Sequence, residues 1–408
     1  MILYFIFIAL TTVIAYINNS VSKKLFYPAT YVSFLWVLFV TIHLLYLLFS
    51  DRKPFPLSFI VLSYFFLALL LFSLGGLIAK GLHKNNLKAD VKTVFSTTFL
   101  NVILIVNIFS LIFYFIKIKE LTGYYFNLLL FRYYTSVEGI DIGFIKYSLT
   151  FSIFSLLLVL IDFYNKERKT YFTSFRLFLI FLLSFTISFL SASKGAFLFL
   201  LISTLGVYSV YRRINIKLVL KTVGITLAVF LIMGNLLKKS IPNEHTSKIE
   251  YTVFDKVEYL LYSYATLPLS AFDKFLNEPY KITYGDIAFR FPKAVFYKIG
   301  LTDTPPKDLV EKYVKVPDLV NVYTAYYKLI KDFGIIYSLT AMFLFGYLHT
   351  YFFIHSKKSF GSLIGFSMLL FPLTMTFFEE NYTSLLSTWI QVILFVYATK
   401  FFMKYKYD

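Results

Sequence analysis

The stretch Gly285–Gly346, GDIAFRFPKAVFYKIGLTDTPPKDLVEKYVKVPDLVNVYTAYYKLIKDFGIIYSLTAMFLFG, begins in polar chain and ends in an apolar run, so its reading decides how this protein meets a membrane. Its middle, NVYTAYYKLIKDFG, must lie where water gives way to lipid. Read as a helix from Asn321, it stacks Asn321, Thr324, Lys328 and Lys331 or Asp332 on one face and Val322, Tyr326, Leu329, Ile330 and Phe333 on the other. Lipid would penalise such polar groups, so the stripe predicts a water-filled cavity.

Outward from this stretch, the whole chain has membrane composition. Hydrophobic residues make up 58% of the 408 residues and charged ones 15%, and the mean hydropathy is +0.71, which excludes an ordinary soluble domain. The formal charge of +18 would raise nucleic acid as a partner in a soluble protein. Here the Lys and Arg residues lie in short loops between apolar runs, where orientation and anionic lipid account for them, and no nucleic acid is expected. With no cysteine, disulfides, thiolate catalysis and zinc-thiolate or iron-sulfur sites are excluded.

Apolar runs near 2–17, 30–50, 57–79, 93–116, 144–162, 175–190, 195–211, 217–236, 333–355, 360–378 and 384–403 predict an all-α polytopic membrane protein of about eleven spans, with a range of roughly ten to twelve. The first run lacks a basic leader and a small-residue cleavage site, and reads as a retained helix. With alternating spans, the basic groups Lys23 and Lys24, Lys80 to Lys92, Lys166 to Lys169, Arg212 to Lys217, Lys357 and Lys358, and Lys404 and Lys406 share one side. That side is expected to be cytoplasmic, with the amino terminus outside and the carboxyl terminus inside. The chain reads as a single integral membrane domain, 1–408, within which 237–331 forms one long, partly helical external loop. Inside that loop Val253, Val257, Leu260, Leu261 and Tyr264 recur at helical spacing beside acidic residues, which predicts an amphipathic helix on the outer leaflet or capping the bundle.

Candidate chemistry concentrates in and around this loop. Arg290 and Lys293 flank Pro292, which disfavours continuous helix, so both cations are expected to project from a loop, either onto lipid phosphates or onto a diphosphate ligand. Lys194 follows Ser191 and Ser193 at a helix boundary, either snorkelling to the interface or contacting a phosphate. Asn321 is also a plausible N-cap, and Tyr323 brings a ring face suited to sugar. Glu379 and Glu380 are read as a solvated acidic pair unless one serves as a base. There is no Asp-x-Asp, no His-Glu-x-x-His and no phosphate-binding glycine loop, so neither a bound metal nor another cofactor is expected.

Arg290, Pro292 and Lys293, then a variable charged segment, then Asn321-x-Tyr323-Thr324 and Asp332-Phe333-Gly334 running into an apolar helix, resemble the oligosaccharide repeat unit polymerases, the Wzy or O-antigen polymerase family. Ser191-Ala-Ser-Lys-Gly-Ala196 is a second, shorter match in which Lys194 replaces the usual Arg, keeping the charge but losing the bidentate fork. The resemblance implies a GT-C-like bundle in a bacterial cytoplasmic membrane. It implies a glycosyltransferase that polymerises undecaprenyl-diphosphate-linked oligosaccharide repeat units into O-antigen, capsular or exopolysaccharide, among membrane lipids and beside a chain-length regulator and a flippase. It places Arg290 and Lys194 on the diphosphate and Lys293 in a supporting contact. Asn321, Tyr323, Thr324 and Lys328 fall on the substrate, and Asp332 joins Arg290 and Lys194 as a catalytic candidate. Two alternatives remain open at this point. An O-antigen ligase usually carries His-Asn where this chain has Val320-Asn321, and a lipid-linked oligosaccharide flippase would carry charges within its spans.

Overall fold

The computed structural model describes residues 1–22, 24–83, 91–136, 138–166, 169–236, 252–307 and 311–407. In chain order the elements are α1 (Ile2–Ser22), α2 (Pro28–Phe49), α3 (Phe59–Leu82), β1 (Val91–Phe95), α4 (Thr97–Thr122), α5 (Leu128–Ser136), α6 (Ile145–Asn165), α7 (Tyr171–Leu190), α8 (Lys194–Tyr211) and α9 (Ile216–Leu236). There follow α10 (Val253–Leu261), a π turn (Tyr262–Thr266), α11 (Leu267–Asn277), α12 (Arg290–Lys298), β2 (Val314–Lys315), β3 (Leu319–Val320), α13 (Ala325–His355), α14 (Phe360–Thr374), which a 3-10 turn (Met375–Phe377) extends to an 18-residue span, α15 (Leu386–Lys400) and β4 (Met403–Tyr407).

Ten helices among the described residues are long and apolar enough to cross a membrane. Lipid offers backbone amides no partner, so a span must satisfy them within itself as a helix. This is an all-α polytopic membrane protein, with only short two-stranded ladders among the described residues, β1 with β4 and β2 with β3. Ser58, Ser96, Thr170 and Ser193 cap the starts of α3, α4, α7 and α8 through side-chain oxygens, and Gly123 ends α4 in the left-handed conformation (φ 76°). The eleventh run, 384–403, narrows to α15 with 15 residues, too short by itself for a typical span. The runs 175–190 and 195–211 form a tight hairpin, α7 to α8, turning at Ala192 (φ 52°).

The chain divides into two compact units. The first comprises 1–87, 258–354 and 369–387. Its centre is an aromatic cluster in which Trp36 packs on Phe65 (ring centroids 4.3 Å apart), Phe65 stacks on Phe272 (5.4 Å) and Tyr326 lies 5.4 Å from Trp36. These rings come from α2, α3, α11 and α13, so part of the long segment expected over the bundle is built into its core. At Gly75 and Gly346 helices α3 and α13 touch backbone to backbone, since an added Cβ would run into the Phe343 or Phe72 carbonyl. The expected amphipathic helix appears as α10, and Glu258 beyond its middle pairs with Arg52 (3.7 Å) while Ser58 N donates to Asp273 of α11 (2.7 Å). The 51–58 connection and the 258–277 segment therefore lie at the same end of the unit, as alternating spans require. Residues 237–251, including His245, and the basic residues Lys23, Lys84, Lys88 and Arg168 lie outside the described residues.

The second unit comprises 88–257, 355–368 and 388–408. Its core holds Tyr114, Ile118, Phe131, Ile187, Leu190 and Phe197. Asp162, buried in α6, accepts from the Phe95 amide (3.0 Å) and from Lys166 Nζ (2.6 Å), while β1 pairs antiparallel with β4, Val91 opposite Tyr407. These contacts gather the basic ends 91–95, 162–166 and 403–407 at one end of the unit.

Candidate functional site

The long helix α13 is broken at Gly334, whose backbone (φ 84°, ψ 173°) is open to glycine and strained for any residue with a Cβ. The break separates a first segment, Ala325–Phe333, from the apolar remainder. Asp332 sits in the last turn of that segment, fully buried. Its carboxylate accepts from the amides of Ile287 (3.0 Å) and Ala288 (2.6 Å) and from the Thr283 hydroxyl, and the Thr283 amide donates to the Lys331 carbonyl (2.9 Å). The turn that wraps this carboxylate needs positive φ at Tyr284 (49°) and Gly285 (89°), and a Cβ on Gly285 would meet the Phe289 ring. Asp332 therefore holds the turn from which α12 starts.

Helix α12 begins at Arg290, contrary to the expectation of a loop here. Pro292 falls in the first turn, where backbone amides have no intrahelical acceptor and proline costs nothing. Arg290 is half-buried, and its Nε donates to the Lys307 carbonyl (2.6 Å). Lys293 is engaged in an ion pair with Asp286. Beside them Glu311 accepts from the Tyr327 hydroxyl (3.1 Å) and Lys331 Nζ (3.2 Å) and lies 3.7 Å from Lys307 Nζ. Tyr323 stacks on Tyr327 (4.1 Å, 13°); burial, then the carboxylates of Glu311 and Glu278, push its hydroxyl up to about 12.

Helix α13 starts at Ala325, not at Asn321, so Asn321 and Thr324 precede it and Asn321 is not its N-cap. Thr324 is buried, and its hydroxyl finds no hydrogen-bond partner among the described residues. Lys328, also buried, donates to Glu379 Oε1 (3.1 Å). The neighbouring Glu380 is not solvated: it is completely buried and accepts from the amides of Tyr382 (2.5 Å), Thr383 (2.6 Å) and Ser384 (3.0 Å) and the Thr383 hydroxyl (2.9 Å). The single polar stripe read from the sequence is thus divided among three partners, the 283–288 turn, Glu311 and Glu379.

Lys194 belongs to the second unit, whereas Arg290, Lys293, Asn321, Tyr323, Thr324, Lys328 and Asp332 all belong to the first. It is the first residue of α8, with its Nζ 5.3 Å over the Phe230 ring. Arg132 of α5 donates to the Ala192 carbonyl in the turn just before it.

The profile of the O-antigen polymerase family matches residues 32–395. The chain belongs to that family. No curated protein and no solved structure matches it. The match spans parts of both units and every candidate site residue, from Lys194 to Glu380. For an O-antigen polymerase the arrangement supplies cations at the start of α12 and, at the start of α13, a buried Lys328 paired with the partly exposed Glu379, and the described residues hold no cluster of His, Asp or Glu fit for a metal ion. Sequence reasoning missed Glu311, Arg132 and the burial of Glu380. A lone Arg in the apolar run Leu128–Tyr134 was a signal for Arg132, but the partners of the two acids come from the folded chain.

Proposed function

We propose that this protein polymerises oligosaccharide repeat units carried on undecaprenyl diphosphate, at the outer face of a bacterial cytoplasmic membrane. The growing glycan passes from its lipid diphosphate to a hydroxyl at the non-reducing end of an incoming lipid-linked unit. The observation that carries this reading is the fixed start of α12: Asp332, at the break in α13, grips the 283–288 turn and so holds Arg290 beside the membrane helix. In this reading the Arg290 guanidinium neutralises charge on the departing diphosphate, and Lys293, which pairs with Asp286, makes a supporting contact. Asn321, Tyr323 and Thr324 meet the sugar or phosphate of the substrate. Asp332 acts as a positioning residue, because its oxygens already receive the turn's donors. Lys194 keeps a phosphate-binding role of its own in the second unit. The amino terminus lies outside and the carboxyl terminus in the cytoplasm, with membrane lipids, a chain-length regulator and a flippase as the surrounding partners.

The test is reconstitution. Purified protein in liposomes, supplied with one lipid-diphosphate-linked repeat and excess chelator, should produce a ladder of glycans one repeat apart and release lipid diphosphate. Consumption of the repeat without a ladder would refute the reading.

A further inference from the structure

We propose that Glu379 takes the proton from the attacking sugar hydroxyl, an assignment that rests on the polymerase reading above. The first segment of α13 carries Lys328 and Asp332 four residues apart, on one face and about 6 Å along the axis. Asp332 holds the turn that leads to Arg290, and Lys328 holds Glu379. One helical turn therefore fixes both the cation for the leaving group and a carboxylate.

Other acids nearby are committed elsewhere. Asp332 and Glu380 are completely buried and take backbone amides, Glu311 bridges Tyr327 and two lysines, and Asp286 pairs with Lys293. The Glu379 side chain differs: it is 40% exposed, its Oε1 takes the 8%-exposed Lys328, and among the described residues its Oε2 accepts no hydrogen bond. Its backbone is anchored on both sides, the Glu379 amide donating to the Met375 carbonyl (2.8 Å) and Glu380 closing the turn that follows. A carboxylate held at one oxygen and open at the other fits a proton acceptor.

In the step, the acceptor O–H bond breaks and its proton passes to Glu379 Oε2. The freed oxygen bonds to the anomeric carbon of the donor's reducing-end sugar. The carbon–oxygen bond to diphosphate breaks, its electron pair leaving with the lipid diphosphate, and Glu379 later returns the proton to water.

Azide tests this directly, because it attacks an anomeric carbon without giving up a proton. In the liposome assay, Glu379→Gln keeps the side-chain volume and an acceptor for Lys328. Its polymer yield should fall by about 10²- to 10⁴-fold, the usual contribution of a general base. Added azide should restore release of lipid diphosphate and give a glycosyl azide. Polymerisation within about threefold of wild type overturns the assignment, as does an inactive variant that binds donor but yields no azide product. Should Glu379→Gln fail to fold, Glu379→Asp keeps the charge but withdraws it by one methylene; kcat should fall with KM unchanged, and an unchanged kcat overturns the proposal. A wild-type protein that makes no ladder refutes the polymerase reading itself, and the assignment with it.

Discussion

Replacing Asp332 separates a clamp from a base. In Asp332→Ala the amides of Ile287 and Ala288 lose their acceptor in a fully buried place. Each unsatisfied buried donor costs about 1–3 kcal/mol, so the turn loses roughly 2–6 kcal/mol. Its local opening, read by hydrogen exchange of the peptide covering 283–290, should accelerate by about 30-fold or more, and polymer should nearly vanish as Arg290 is released. Asp332→Asn is milder. Its carbonyl can take the Oδ2 position and serve both amides, while its NH2 donates to the Thr283 hydroxyl, so only the charge assistance is lost, about 1–2 kcal/mol. Asn should therefore retain measurable polymerisation with modestly faster exchange. An Asn variant as inactive as Ala, with the 283–290 peptide protected as in wild type, would show that the carboxylate's proton chemistry matters and would refute the clamp.

Two further outcomes follow from the same structure. Gly346→Ala places a methyl against the Phe72 carbonyl, so the detergent-solubilised protein should lose about 1–3 kcal/mol and show a lower Tm; an unchanged Tm would contradict the backbone contact between α3 and α13. A reporter fused after Lys406 should read cytoplasmic and one inserted near Thr302 external; reversal at both points would move α12 to the wrong face for the proposed reaction.

Most of the fold was legible because lipid leaves a backbone so few choices: apolar runs of sufficient length become helices, and ten of the eleven expected spans do so at membrane length. The exception, α15, is shortened at both ends. Near the site, legibility depended on how local the cause was. Asp332-Phe333-Gly334 stood out as a motif, but neither the break at Gly334 nor the bonds of Asp332 to residues 44 to 49 positions away follow from periodicity. Pro292 was misread because its effect depends on its place in a helix, and the first turn tolerates it. Glu380 looked solvated because the amides that bury it are gathered only when residues 380–384 turn back on its side chain. The start of α13 slipped from Asn321 to Ala325 because 319–320 pair as β3 with β2 instead of entering the helix.

The measurement that bears most directly on the account is polymer length from Arg290 variants at matched protein level. Removing a transition-state donor of this kind costs about 10²- to 10³-fold in rate, so Arg290→Ala should yield single repeats and almost no ladder. Arg290→Lys, which retains the charge without the two-donor fork, should recover part of it. Full-length chains from Arg290→Ala would contradict the account and leave Arg290 as an interfacial anchor, a role worth about 1 kcal/mol that Lys would fill equally well.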